Sequence, residues 1–372
     1  MRCLIVGAGA IGSLIGHRLA GAGNEVALVG REGYVAAVRA RGLGLEEGGR
    51  VAWATNLRPV TRVEDVAGEP FDLVILTVKA YDTAAAAEQA APLARRGVPI
   101  LVVQNGVGGE EIAAEVLGEA TILSAVVTLA VEVLEPGLVR LATARGGLSL
   151  APTAPGQSVA EYARAFREAG FRVAVYPDHR AMKWSKLLLN IVANASPAIL
   201  DMSPAEVFAD RRLFALERAA LREALAVMRG LGLRPVPLPG YPVPLFAWAL
   251  SSLPTFLVRP FFRRFIERGR GGKMPSLHID LAKGKGKSEV EYLNGAVVKH
   301  AQELELDVPA NRALHAVLMG IVRGDIAWEE YRGRPERLLA AVGGFRCRSP
   351  LPPGCCADPI ENDACHFRGK LI

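Results

Sequence analysis

Cysteine is nearly missing from the body of this 372-residue chain: Cys3 stands alone until Cys347, and the other four lie in the last 26 residues. A disulfide scaffold is excluded, and a reducing compartment such as the cytoplasm is the expectation. Aromatic residues are few (6%), and the net charge of +6 is mild for this length. With one short basic run and no reader motif, nucleic acid is not an expected partner. The apolar run at Met1–Val6 is broken by glycines from Gly7 onward, so it does not read as a signal peptide.

A long hydrophobic span is also lacking. Pro235–Val258 holds no charged residue over 24 positions, but six prolines interrupt it, and a basic run, Arg259 to Lys273, follows. A continuous membrane helix is therefore not expected. A pocket wall, a lid or a homodimer surface is the expected use. The tail Cys347–Ile372, with Cys355-Cys356 and Cys365-His366, lacks paired ligand spacing. It reads as a poorly ordered extension rather than a metal site.

What is present suffices for two domains: apolar residues make up 51% of the chain and charged residues 22%. Short apolar runs at Cys3–Val6, Glu25–Val29, Phe71–Val78 and Pro99–Val103 alternate with helical patterns at Ala10–Ala20 and Thr83–Ala91. That alternation predicts βαβ units and a parallel sheet. Further strand-like segments lie at Thr121–Thr128 and Leu138–Leu150, and a helix at Val159–Ala169. From about Asp178 strand signals stop. Met182–Ala195, Pro204–Leu231, Val290–Leu304 and Asn311–Arg323 carry helical periodicity. The expected division is a Rossmann-type domain over 1–178, an all-helical domain over 179–340 and a tail over 341–372.

Gly7-Ala8-Gly9-Ala10-Ile11-Gly12 follows the first strand and opens the first helix. The G-x-G-x-x-G spacing is weak alone, but in this strand–turn–helix context it points to a dinucleotide. Gly7 would allow the turn, Gly9 the approach of a pyrophosphate and Gly12 close helix–strand packing. After the second strand, where an NAD site would place an acid, stands Arg31, nineteen residues beyond Gly12. A guanidinium there suits the 2′-phosphate of NADPH, although Glu32 is adjacent. A solvated surface arginine is the plain alternative.

Lys186, Asn190 and Asn194 recur at spacing four within KLLLNIVAN and would share one helix face. Buried amides need partners, which a substrate rich in hydroxyl and carboxylate groups would supply.

Taken in order, Gly7–Gly12, Lys79 after LTV, Gln104-Asn105-Gly106-Val107-Gly108, Trp184–Asn190, Pro275-Ser276, Ser288–Gly295 and Val308-Pro309-Ala310-Asn311 are similar to the ketopantoate reductase family. The resemblance spans residues 1–325. It implies an N-terminal Rossmann domain and an all-α C-terminal domain of the 6-phosphogluconate dehydrogenase type. It also implies NADPH-dependent reduction of ketopantoate, a 2-oxo acid, to pantoate on the route to pantothenate and coenzyme A. Carried over by position, Lys186 matches the general acid and Glu289 the glutamate ahead of the Y-L-N-G run, with a place in both catalysis and cofactor binding. Asn190, Asn194 and Ser276 match substrate-binding residues. Lys79 and Asn105 match positions at the mouth of the cofactor site, Asn105 also facing substrate. Ala130 matches a further cofactor contact. Glu289 is expected to hold Lys186 or a substrate hydroxyl.

Two departures bear on the substrate. The interval from Ser276 to Glu289 is one residue longer than is usual in the family, with Lys283, Lys285 and Lys287 interleaved by glycines. Met202-Ser203-Pro204 stands where the family carries another asparagine. The alternatives are a same-family reductase of a more hydrophobic 2-oxo acid, a non-catalytic NADP-binding sensor and, weakest, a membrane-associated protein.

Overall fold

The computed structural model describes residues 1–143, 145–260, 262 and 274–346. The strands are β1 (Arg2–Val6), β2 (Glu25–Val29), β3 (Leu43–Glu47), β4 (Arg50–Ala54), β5 (Leu57–Val60) and β6 (Leu73–Leu76). They continue with β7 (Ile100–Val102), β8 (Ile122–Val127), β9 (Ala130–Glu135), β10 (Leu138–Thr143), β11 (Leu148–Pro152) and β12 (Val173–Val175). Eight form one sheet in the order β12–β11–β8–β7–β6–β1–β2–β5. All its pairings are parallel except the antiparallel β8–β11. Leu4 on β1 lies opposite Ala27 on one side and Val74 on the other, so β1 is central. From Cys3 its sequence, like LVIL on β6, is continuously apolar because a parallel strand is covered on both faces.

Helices α1 (Ala10–Gly21), α2 (Glu32–Arg41), α3 (Thr83–Ala94), α4 (Gly109–Leu117) and α5 (Ala160–Glu168) belong to this half. The buried core lies in two layers. Leu14, Ile15 and Leu19 from α1 pack with Phe166 from α5, and Ala86, Ala90 and Leu93 from α3 pack with Val74 and Leu76. Cys3 sits in the first layer, where burial pushes its thiol up to about 12.

A second sheet, β4–β3–β10–β9, is a departure from the sequence reading, which placed no strands at 43–54. It consists of two hairpins joined by parallel pairing of β3 with β10. β4 is largely exposed and carries no apolar alternation that would mark it.

From His179 onward the described residues are helical: α6 (His179–Ile191), α7 (Ala195–Leu200), α8 (Pro204–Ala209), α9 (Arg211–Gly230) and α10 (Val243–Ser252). Then follow α11 (Ser276–Ala282), α12 (Asn294–Glu303), α13 (Pro309–Arg323) and α14 (Pro335–Arg346). The periodic segment 204–231 is two helices rather than one. The Asp210 carboxylate accepts the amides of Arg212 and Leu213 and starts α9 anew. Likewise 290–304 divides into a 3-10 turn, Glu289–Tyr292, and α12. The core of this half also takes in Val126 and Ala151, so the antiparallel end of the large sheet packs directly on the helices.

The apolar segment 235–258 forms a short bridge, Leu238 with Tyr241, and then α10. No helix among the described residues is long and apolar enough to cross a membrane. The tail and most of the basic run at 259–273 lie outside the described residues.

Candidate active site

The chain reverses direction across the large sheet between β1 and β6, which lead to helices placed on either side. Ligands of open α/β sheets settle in the crevice beyond the carboxyl ends at such a point. Four candidate segments emerge there: Gly7–Gly12 after β1, Thr77–Lys79 after β6, Gln104–Gly108 after β7 and Thr128–Ala130 after β8.

The glycine turn has the form a pyrophosphate needs. Gly7 adopts φ +115°, and a Cβ there would lie 2.7 Å from the Val78 amide nitrogen. A Cβ on Gly12 would lie 2.0 Å from the Gly7 carbonyl, so helix and turn touch. Gly9 is the opposite case, since a Cβ there would meet nothing within 4 Å. Thr77 fixes the turn by donating its hydroxyl to the Gly7 carbonyl at 2.7 Å. Asp178, Ser203 and Asp210 cap α6, α8 and α9 with side chains, but Gly9 gives α1 no such cap and its first turn holds no acid. The leading amides of α1 are thus left for an anion. Arg31 is exposed at the start of α2, and Tyr34 one turn on is tied to Ser13 of α1 across 3.1 Å.

Opposite the turn stands α6. Residues 183, 186 and 190 fall on one helix face, and that face meets the loop after β7. Asn190 Nδ2 donates to Asn105 Oδ1 at 3.3 Å, joining the two halves across the cleft floor. Lys186, half-buried, stands one turn before Asn190. The loop is docked tightly: the Val107 amide donates to the Tyr292 carbonyl at 3.0 Å, and a Cβ on Gly106 would lie 2.5 Å from that same oxygen.

The third residue of the spaced trio behaves differently. α6 ends at Ile191, and Ala193 takes a left-handed φ of +50°. The buried Glu217 carboxylate supports this break by accepting the Ala193 amide at 2.6 Å and the Ser196 hydroxyl. Asn194, buried beyond the break, donates to the Asn190 carbonyl at 2.9 Å and accepts the Leu277 amide at 3.3 Å. Its carboxamide thus ties α6 to the start of α11, where Ser276 is exposed.

The structure gives Glu289 a partner that the sequence reading did not name: its Oε2 accepts from Lys79 Nζ at 2.7 Å. Lys79 Nζ also lies 2.9 Å from Asp280 Oδ2, and Lys285 reaches Asp280 Oδ1 at 3.1 Å. Burial works against the Lys79 charge, but the carboxylates of Glu289 and Asp280 outweigh it and hold the ammonium above the ordinary lysine range. Burial alone would raise the Asp280 carboxyl; Lys79 and Lys285 bring it below its usual range. Two of the extra lysines after α11, Lys285 and Lys287, belong to the same mouth, where Lys287 pairs with Asp82 at 3.1 Å. Ala130 opens β9 as an exposed residue just beyond the end of β8.

Sequence reasoning missed a second charged contact, deeper in the cleft. Lys183, 3% exposed, places Nζ 2.9 Å from Glu110 Oε1, itself on a residue 4% exposed, and donates to the Gln104 carbonyl at 2.9 Å. The Ser124 hydroxyl donates to the same Glu110 oxygen at 2.5 Å. The apolar segment meets α6 from another side: Val236 donates its amide to Ser185 Oγ, and Leu245 and Trp248 of α10 are exposed.

Comparison with known proteins bears on the family and the fold. The family ketopantoate reductase PanE/ApbA matches residues 3–155, and its C-terminal family matches 178–322. A 2-dehydropantoate 2-reductase from Pyrococcus horikoshii is 28% identical over 321 residues, covering 86% of this chain and 96% of that protein. The crystal structure of a PanE/ApbA family ketopantoate reductase from Ralstonia eutropha is 32% identical, with a TM-score of 0.72, covering 87% of this chain and 99% of that one. A D-mandelate dehydrogenase solved with NADH and anilino(oxo)acetate shares the fold at 23% identity, with a TM-score of 0.73 over 87% of this chain and 99% of its own. With its glycine turn, cleft and helical half together, the chain belongs to the ketopantoate reductase family.

Proposed function

We infer that the protein reduces ketopantoate to pantoate with NADPH, in a cytoplasmic step of pantothenate synthesis. The carrying observation is the Asn105–Asn190 contact, which sets the loop after β7 against the helix face that presents Lys186. The glycine turn fits a dinucleotide through the open space at Gly9, the touching pair Gly7 and Gly12, and the uncapped start of α1. The amides of Ala10 and Ile11 would face its pyrophosphate, Ala8 would line the turn, and Arg31 would meet a 2′-phosphate.

NADPH, when bound, supplies the hydride. The residues of the chain position the acid and handle its charge. Lys186 stabilises and protonates the oxygen on which negative charge builds as the ketone is reduced. Asn105 and Asn190 hold the substrate's polar groups between the halves, and Ser276 meets the carboxylate. Asn194 sets the angle of the helix that carries Ser276. Lys79, Glu289 and Asp280 form a charged rim at the cofactor mouth, with Ala130 on its β8 side.

The test is NADPH oxidation with ketopantoate beside bulkier 2-oxo acids. Turnover on ketopantoate should fall by roughly a hundredfold or more in Lys186→Ala, with NADPH still bound. A variant that loses NADPH affinity instead would show that Lys186 holds the cofactor. Wild-type turnover confined to bulkier acids would discard ketopantoate, and tight NADPH binding with no turnover at all would favour a sensor. Arg31→Asp should lower the preference for NADPH over NADH by about tenfold; an unchanged ratio removes Arg31 from the 2′-phosphate.

A further inference from the structure

We propose that Lys183 and Glu110 are positioning residues for the reduction, acting through the Gln104 carbonyl to hold Asn105 against Asn190 and the Lys186 face of α6. This rests on the reading above, in which Asn105 and Lys186 work on the same substrate.

The pair crosses between the halves at an enclosed contact. Glu110 comes from the first turn of α4, Ser124 from β8 and Lys183 from the first half of α6. Lys183 divides its ammonium between the Glu110 carboxylate and the Gln104 main chain, both at 2.9 Å. Gln104 immediately precedes Asn105, so the bond fixes the strand end from which the Asn105 side chain leaves. On α6, Lys183 lies one turn before Lys186 on the same face. One side chain therefore sets the spacing between the loop and the general acid.

Two observations argue against a merely stabilising role. A buried ion pair is a poor source of stability, because removing both charges from water offsets most of their attraction. Gln104 itself is 4% exposed, and neither Nε2 nor Oε1 of its side chain finds a partner. A residue that gives up its side-chain hydrogen bonds is held in place by something else, and the Lys183 bond to its carbonyl is the polar tie that does so. Because small displacements of a reacting group are costly, the geometry of that tie reaches turnover.

The test replaces both charges together. In Glu110→Met with Lys183→Met, the melting temperature and NADPH affinity should stay near wild type. The kcat on the preferred 2-oxo acid should fall by roughly ten- to a hundredfold. If the double variant does not fold, Glu110→Gln keeps the shape and lowers kcat more modestly. In either case the loss should shrink in an Asn105→Ala background, because the side chain being positioned is already gone. A folded double variant with wild-type kcat and KM, or a loss that is fully additive with Asn105→Ala, overturns the positioning role alone. A wild-type enzyme that reduces no 2-oxo acid overturns it together with the functional reading.

Discussion

Two lysines reach across the cleft in opposite directions, and water decides how they differ. Lys79 leaves the sheet half for Glu289 and Asp280 of the helical half, and its side chain is 34% exposed. Lys183 leaves the helical half for Glu110 of the sheet half, and both partners are almost fully buried. The mouth contact is also branched, since Lys285 can still face Asp280 when Lys79 lets go. Among the described residues no second cation is paired with Glu110, so the inner contact behaves as a fixed strut, whereas the mouth can exchange partners with a ligand.

The largest break in this comparison is Lys183→Met. It strands the Glu110 carboxylate in the interior and should cost about 3–5 kcal/mol in chemical denaturation. Lys79→Met leaves Glu289, 3% exposed, without its cation in the same way, and only Asp280 keeps one in Lys285, so its cost should be of similar size; a much smaller loss would show that solvent enters the mouth once Lys79 is gone. The next effect is on pH. The Asp280 carboxyl is held below its usual range in the folded chain, so its contribution is present above the unfolded value of about 3.9 and is lost as pH falls through the folded one. The stability gap between wild type and Asp280→Asn should therefore be full near neutrality and close below about pH 4. A gap that persists unchanged at low pH would mean that the carboxylate charge is not what stabilises the mouth. The smallest effect is a control remote from both lysines. Glu305 takes φ +55° after α12, and Glu305→Gly should gain up to about 1 kcal/mol with no change in kcat.

How legible each contact was follows from the same difference. Lys79 and Glu289 could be picked out because each sits in a short recognisable motif, although their mutual pairing could not. Lys183 reads from sequence as a solvated helix residue, and Glu110, in Gly-Glu-Glu at a helix start, as an acid favouring the helix dipole. Only the fold brings together two residues 73 positions apart. The apolar strands and the glycine turn were legible for a local reason: continuous apolar runs ending in Gly-x-Gly leave few other conformations. β3, β4 and β9 were not, because half-exposed strands with charged and small residues carry no alternation strong enough to stand out. The break at Ala193 was hidden as well. Val192 and Ala193 continue the helical periodicity, and the stop depends on Glu217 arriving from α9.

Gly106 acts as a feeler gauge between the two halves. A Cβ built on it would lie so near the Tyr292 carbonyl that the gap admits one bare backbone, and any side chain there becomes a shim. The separation of the halves at this loop is therefore written into a single hydrogen atom. A methyl group at that point would prop the cleft ajar without touching a charge, an amide or the cofactor turn.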